Sequence, residues 1–268
     1  MVATVRLLSG LVGSFSFLSL ASAEPQVRDD VRIMALGDSI TGNPGCWRAL
    51  LSRKLNATNI TPPLPYSQIR FVGTQPRTYC GYGSAYDWPH EGHGGYLATG
   101  IAQETVPITG TEVVPAPRQP LLQSWLTAPG VAPVDIILMH LGTNDIWQNR
   151  TAIQIINAYG QLLDQMRAVN PTIRLLVAQI LPMEPANCLE CPAKVRMLNR
   201  YISIWAQYVT RPQSPVEAVD LYSGFNATRY TTDGVHPNAR GDEAIATGWV
   251  GAVIRSVRDV LAQREIRV

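Results

Sequence analysis

The chain has 268 residues, with 22 Lys and Arg against 20 Asp and Glu, a formal charge of +2 at pH 7. So even a balance, with no block of Lys or Arg, argues against a nucleic-acid partner and against docking on an anionic membrane. The length suits one domain with a full core rather than a string of modules.

Residues Met1 to Ala23 carry Arg6 as their only charge, an apolar run from Leu7 to Leu20, and small residues at Ala21-Ser22-Ala23. This pattern predicts a secretory signal peptide over residues 1–23. The run is interrupted by Gly and Ser and falls short of the ~20 apolar residues a membrane span needs. Cleavage would start the mature protein near Glu24 and leave residues 24–268 as a single domain. Arg6 leaves with the leader, so 22 basic residues become 21 against 20 acidic ones, a charge of +1.

Val31 to Leu36 is a short apolar run closed by Gly37, and Trp47, Leu50, Leu51 and Leu55 then recur at helical spacing. Strand, turn and helix are expected in that order. Ile69 to Gly73 reads as the next strand. Thr74 to Pro120 is rich in Gly, Pro and aromatic residues without a sustained period, and is read as a long loop region. Leu121 to Leu126 suggests a short helix, and Val134 to Leu141 is a nearly unbroken apolar run, as in a strand covered on both faces.

Ala152 to Val169 places Ile153, Ile155, Ile156, Tyr159, Leu162, Leu163 and Met166 on a helical period that Asn170-Pro171 ends. A strand over Ile173–Ile180, a helix from Ala193 to Tyr208, a strand over Val216–Leu221 and a last helix from Gly241 to Leu261 follow. This alternation predicts an α/β fold, a three-layer α/β/α sandwich around a mostly parallel sheet.

Cys46, Cys80, Cys188 and Cys191 form an even set in a chain read as bound for an oxidising compartment. Three pairings are possible, and Cys46 with Cys80 and Cys188 with Cys191 is the one favoured. The Cys188-Leu189-Glu190-Cys191 spacing also fits a redox or zinc half-site, but neither a thioredoxin-like context nor two further ligands are visible. Asn56, Asn59, Asn149 and Asn226 each open an Asn-x-Thr acceptor for N-glycosylation.

Three words far apart in the chain carry chemistry: Gly37-Asp38-Ser39-Ile40, Gly142-Thr143-Asn144-Asp145 and Asp233-Gly234-Val235-His236-Pro237. A serine hydroxyl is a poor nucleophile until a base takes its proton, and an imidazole needs a partner to fix its tautomer. Ser39, His236 and Asp233 fill these roles on paper. Ser39 follows the first strand and precedes a helix, so its oxygen should stand at the carboxyl edge of the sheet. Asn144, just after the long apolar strand, can point a carboxamide N–H toward a developing oxyanion, with the Ser39 N–H and a glycine N–H from Gly92-His93-Gly94-Gly95 as further donors. Each word alone is an ordinary turn or cap; their joint occurrence in this order carries the reading.

The set Ser39, Gly95, Asn144 and His236 resembles the SGNH (GDSL-type) hydrolase superfamily. The longer words from Gly37 to Arg48, His90 to Tyr96, Met139 to Asp145 and Asp233 to Asn238 are similar to those of fungal acetylxylan-esterase-like proteins of the third carbohydrate esterase family. The resemblance spans about Val31 to Ala246. It implies a flavodoxin-like, five-stranded sheet, Ser39 as nucleophile, His236 as base, and Ser39 N–H, Gly95 N–H and Asn144 Nδ2 as the oxyanion hole, with no metal or other cofactor. Some relatives lack the acid, so Asp233 either orients His236 or only shapes the turn. Many members have Ser where this chain has Gly94.

Tyr79, Tyr82, Tyr86, Trp88 and Tyr96 crowd the loop from Tyr79 to Tyr96, and Trp147 lies just past Asn144. Such rings stack on sugar faces; core packing is the competing reading for about half of them, by the burial tendency of Trp. Tyr82, Trp88, Tyr96 and Trp147 are the candidate substrate contacts. The expectation is a secreted, extracellular, monomeric serine esterase that removes acetyl groups from a plant cell-wall polysaccharide or oligosaccharide, xylan above all, with neither nucleic acid nor membrane as partner. A general short-chain esterase or lipase, and a carbohydrate-binding protein that has lost catalysis, are the competing readings.

Overall fold

In the computed structural model, residues 29–57, 59–102 and 121–265 are described. The expected leader over residues 1–23, and the end of the long loop region from 103 to 120, lie outside them.

The apolar runs become the strands β1 (Val31–Gly37), β2 (Ile69–Val72), β4 (Ile136–His140), β5 (Arg174–Gln179) and β6 (Val216–Asp220), with a two-residue β3 (Glu91–Gly92) inside the long loop region. The order is β2-β1-β4-β5-β6, and every neighbouring pair is parallel. β3 continues the edge of β1 that β2 leaves, pairing Leu36 with Glu91 and Gly37 with Gly92. The sheet thus has one strand more than the five expected, because two residues carry no readable period. β4 is buried at all five positions, as a central strand covered on both faces must be.

The helices are α1 (Ser39–Gly42), α2 (Trp47–Leu55), α3 (Ala98–Ala102), α4 (Leu121–Leu126), α5 (Thr143–Trp147), α6 (Ala152–Val169), α7 (Cys191–Val209), α8 (Ala227–Tyr230) and α9 (Ala239–Glu265). α2 packs on α9, where Trp47 and Trp249 stack with centroids 6.1 Å apart. α6 packs on α3, α4 and α7. Thr151 and Gln154 close a reciprocal capping box at the start of α6, which satisfies two N–H groups the helix would leave unpaired. Its buried stripe is Ile155, Ala158, Tyr159, Leu162, Leu163 and Met166. Ile153 does not belong to it: this residue is 52% exposed, being in the first turn beyond the reach of the packed face.

The chain leaves β1 for β2 on one side and reaches β4 on the other, so the order reverses between β1 and β4. In open α/β sheets the crevice beyond the carboxyl ends of strands at such a reversal is where ligands bind. Ser39 follows β1 there and Asn144 follows β4. Gly42 and Gly92 make this edge possible. A Cβ on Gly92 would stand 2.6 Å from the Gly42 nitrogen, and one on Gly42 would stand 2.4 Å from the Gly92 oxygen. The two backbones therefore touch where only hydrogen atoms fit.

Candidate active site

Asp38 caps α1, its Oδ1 accepting the Ile40 N–H at 2.9 Å, and Ser39 is the first residue of that single turn. The helix directly after the serine is this four-residue turn and not the longer α2 that the sequence showed. α2 is fastened behind it: Trp47 Nε1–H donates to the Ile40 oxygen at 3.0 Å, and the Trp47 N–H donates to Asp242 at 3.1 Å. Arg48 is buried and donates to the oxygens of Thr41 (2.8 Å), Pro44 (3.0 Å) and Trp88 (3.2 Å). Burial brings its pKa down to about 10, with Asp242 and Asp87 opposing. Cys46 and Cys80 are bonded, which ties the same corner to the loop after β2.

The tight turn after α8 returns the imidazole. His236 Nε2 lies 2.9 Å from Ser39 Oγ, and His236 Nδ1 lies 2.7 Å from Asp233 Oδ2. Asp233 Oδ1 accepts the N–H groups of Val235 at 3.0 Å and His236 at 2.8 Å. Burial alone would raise the Asp233 carboxyl; the bonds from the His236 N–H and imidazole and from Val235 N–H outweigh it and hold the pKa below its ordinary value. An ionised Asp233 accepts the Nδ1–H and leaves the Nε2 lone pair toward the serine, the tautomer in which an imidazole can take a hydroxyl proton.

On the other side of Ser39 runs the turn His93–Tyr96, closed by Tyr96 N–H to His93 O at 3.2 Å, with Gly95 at φ 80°. A positive φ at the third position is what a type II turn requires, and glycine adopts it without strain. A Cβ on Gly94 would meet the Ser39 Cβ at 3.9 Å, so the turn passes alongside the serine. Asn144 is not in a turn but is the second residue of α5, which starts from Gly142 at φ 105°. Its Nδ2 donates one hydrogen to Tyr96 O at 3.0 Å; the carboxamide has a second N–H to give.

Sequence reasoning missed Asp145. This fully buried carboxylate accepts the N–H groups of Ala98 at 2.7 Å and Thr99 at 3.0 Å and the Thr99 hydroxyl at 2.7 Å, thereby capping α3 from 46 residues away. No local pattern could reveal it, because its partners are distant in sequence. Burial raises its pKa. Burial also pushes Asp38 up to about 7, with Asp145 adding to the rise and Ile40, His236 and Thr143 opposing it. Asp38 and Asp145 are thus two buried carboxyl groups near enough to feel each other's charge.

The aromatic candidates part company. Tyr96 belongs to the turn beside Ser39, and Trp147 projects from α5 with its Nε1–H on Asn187 Oδ1 at 3.1 Å. Tyr82 is half-buried against the core. Trp88 is turned elsewhere: its Nε1–H bonds Ser52 Oγ at 3.0 Å, and it lines a separate 540 Å³ cavity with Arg32, Arg70 and Arg77. Tyr86 faces Tyr66 and Asn56, and Tyr79 is exposed. Cys188 and Cys191 are bonded at the start of α7. Their loop is held to the histidine turn by Glu184 N–H donating to Gly234 O at 2.8 Å. Asn56, Asn59, Asn149 and Asn226 are exposed, and Asn226 caps α8 through its Oδ1. Thr58, the third residue of the first acceptor, lies outside the described residues.

The GDSL-like lipase/acylhydrolase family matches residues 35–244, a span that holds Ser39, Gly95, Asn144, Asp233 and His236. The chain belongs to the GDSL-like lipase/acylhydrolase family. Its similarity to solved esterase structures covers most of the chain. A crystal structure of an acetyl esterase mutant with an acetate ion is 30% identical at TM-score 0.69, covering 86% of this chain and 99% of that one. A carbohydrate esterase family 3 protein from Talaromyces cellulolyticus is likewise 30% identical at TM-score 0.69, covering 85% and 99%. A multidomain esterase from Ruminococcus flavefaciens is 26% identical over 92% of this chain, which spans only 32% of that protein's length. Among the described residues of this GDSL-like chain, no helix is long and apolar enough to cross a membrane.

Proposed function

We propose that this chain is a secreted carbohydrate esterase that hydrolyses acetyl esters of plant cell-wall polysaccharide, acetylated xylan above all, through an acyl-enzyme on Ser39. The observation that carries the reading is the continuous hydrogen-bonded run from Ser39 Oγ through both nitrogens of His236 to Asp233.

Ser39 Oγ attacks the acetyl carbonyl while His236 Nε2 takes its proton, and Asp233 stabilises the imidazolium that forms. The tetrahedral oxyanion is met by the Ser39 N–H at the start of α1, the Gly95 N–H and the second Nδ2–H of Asn144. His236 returns the proton to the departing sugar oxygen. A water molecule, deprotonated by the same imidazole, then releases acetate and restores Ser39.

The substrate class rests on the similarity to an acetyl esterase and to a family 3 carbohydrate esterase. The site itself is open: the His236 side chain is 37% exposed and that of Asp233 49%, which suits an ester carried on a polymer. Tyr96, in the turn beside Ser39, and Trp147, on the same helix as Asn144, are offered as surfaces for sugar rings. Secretion rests on the leader pattern of residues 1–23 and on the two disulfides.

Acetate release from acetylated xylan, acetylated pectin, chitin oligomers and p-nitrophenyl acetate, by wild type and by Ser39→Ala, tests this reading. Xylan should be the preferred polymer, and Ser39→Ala should abolish release from every substrate. Equal release by the two proteins would remove the esterase assignment, and turnover of small esters alone would remove the polysaccharide.

A further inference from the structure

A second carboxylate–imidazole pair stands at the start of the glycine turn that passes alongside Ser39. Glu91, fully buried in β3, accepts the Thr74 N–H through Oε2 at 2.7 Å, and the Thr74 hydroxyl at 2.7 Å and His93 Nε2–H at 2.6 Å through Oε1. The pair is well enclosed, the His93 side chain being 11% exposed. Its ring also lies against Trp125 and Tyr96, with centroids 4.4 and 4.7 Å away. The backbone of the same residue starts the glycine turn: His93 N–H donates to Gly37 O at 2.9 Å, and His93 O accepts the Tyr96 N–H.

From this arrangement we infer that Glu91 and His93 are positioning residues for the oxyanion hole, holding the Gly94–Gly95 turn at the height of Ser39. The inference rests on the proposed role of the Gly95 N–H. Two adjacent glycines leave the turn no side chains of its own to anchor it, and glycine is the freest residue in the unfolded chain. Anchoring must therefore come from its flanks. On one flank Asn144 holds Tyr96 O; on the other Gly92 N–H donates to the buried His90 Nδ1 at 3.0 Å, and the side-chain anchor nearest the two glycines is the imidazole of His93 on Glu91. A buried carboxylate with both oxygens hydrogen-bonded is a fixed point in the fold. The charge-assisted bond from it reaches the turn through one rigid ring. A donor that must meet an oxygen only when charge develops is useful in proportion to how little it moves, so the pair acts on the transition state and leaves substrate binding alone.

Two variants separate the hydrogen bond from the ring contact. His93→Phe keeps an aromatic ring against Trp125 and Tyr96 but cannot donate to Glu91. His93→Gln removes the ring and restores an N–H at the reach of Nε2. On p-nitrophenyl acetate, His93→Phe should lower kcat by about 10- to 100-fold, the range expected for a small misplacement of a catalytic group, with KM changed less than about twofold. His93→Gln should recover most of that loss. Backbone amide exchange at Gly95 and Tyr96 should quicken in His93→Phe and stay near wild type in His93→Gln. This readout needs no turnover, so it decides the positioning role even if Ser39→Ala shows the chain to be no esterase. Wild-type kcat and exchange in His93→Phe would overturn the inference, as would equal losses in both variants.

Discussion

Asn144 reaches back 48 residues to Tyr96, placing its carboxamide Nδ2 3.0 Å from the main-chain oxygen. One hydrogen of the amide is spent on the loop, which fixes the direction of the other. The bond therefore orients the side chain and restrains the glycine turn at once.

Removing the amide should remove both effects. Asn144→Ala is expected to lower kcat on p-nitrophenyl acetate by about 10²- to 10³-fold, the usual loss for one oxyanion donor. Asn144→Asp, which keeps the shape but presents an acceptor to Tyr96 O, should be no better. A kcat within about threefold of wild type in either protein would take Asn144 out of the oxyanion hole.

Asp233→Asn tests the acid. An amide can no longer force the Nδ1–H tautomer, and kcat should fall by as much as about 10⁴-fold if Asp233 acts as the orienting acid. The partial exposure of the pair argues for a smaller loss than in a buried triad, because water can replace part of the bond. Steady-state kinetics that leave kcat unchanged would mean that Asp233 only shapes the turn.

Asp38 gives a pH dependence with a definite sign. Its folded pKa, about 7, lies above the ordinary 3.8 because burial penalises the charged form. The folded protein therefore holds this proton more tightly than the unfolded chain does, and ionising the group costs stability. That cost is absent below about pH 4, grows as the pH rises and is complete above about pH 7, reaching at most about 4 kcal/mol. Asp38→Asn keeps an oxygen for the Ile40 N–H and has no charge to bury. Its melting temperature relative to wild type should rise between about pH 4.5 and pH 8; a difference that stays flat across that window would refute the account.

Gly92→Ala should fail in a way that the sequence position alone does not suggest. The added methyl would press on the Gly42 nitrogen at 2.6 Å and the Thr41 carbonyl carbon at 2.8 Å, backbone atoms of the turn that carries Ser39. A loss of about 1–3 kcal/mol in denaturant unfolding is expected, together with a fall in kcat larger than any change in KM.

The two disulfides should differ in worth. Cys46 and Cys80 are 34 residues apart and Cys188 and Cys191 only 3. By loop-closure entropy, the double Cys→Ser variant of the first pair should lose about 4 kcal/mol and that of the second about 2. Urea unfolding of each, compared with wild type, ranks them directly.

Where a long apolar run or stripe marks a buried face, the architecture was legible. β1, β4 and β5 are continuous apolar runs because both their faces are covered, and α2, α6, α7 and α9 announce themselves by a 3.6-residue stripe. The short elements α1, α3, α5, α8 and β3 were not legible, since two to five residues fit any period. Yet these hold Ser39, Asn144 and Glu91, and the cap of α3 comes from Asp145, 46 residues away.

Residue types and their order were thus determined by the sequence itself: a serine after the first strand, an amide after the central one, an acid and an imidazole three apart near the end. Proximity was decided only by tertiary structure, because the parallel sheet brings to one edge groups as distant as Ser39 and His236, 197 residues apart. The same packing turned Trp88 away from them onto Ser52 and brought Thr74 onto the buried Glu91. A side chain's direction depends on neighbours that the local chain does not contain, so no reading of single segments could have supplied either fact.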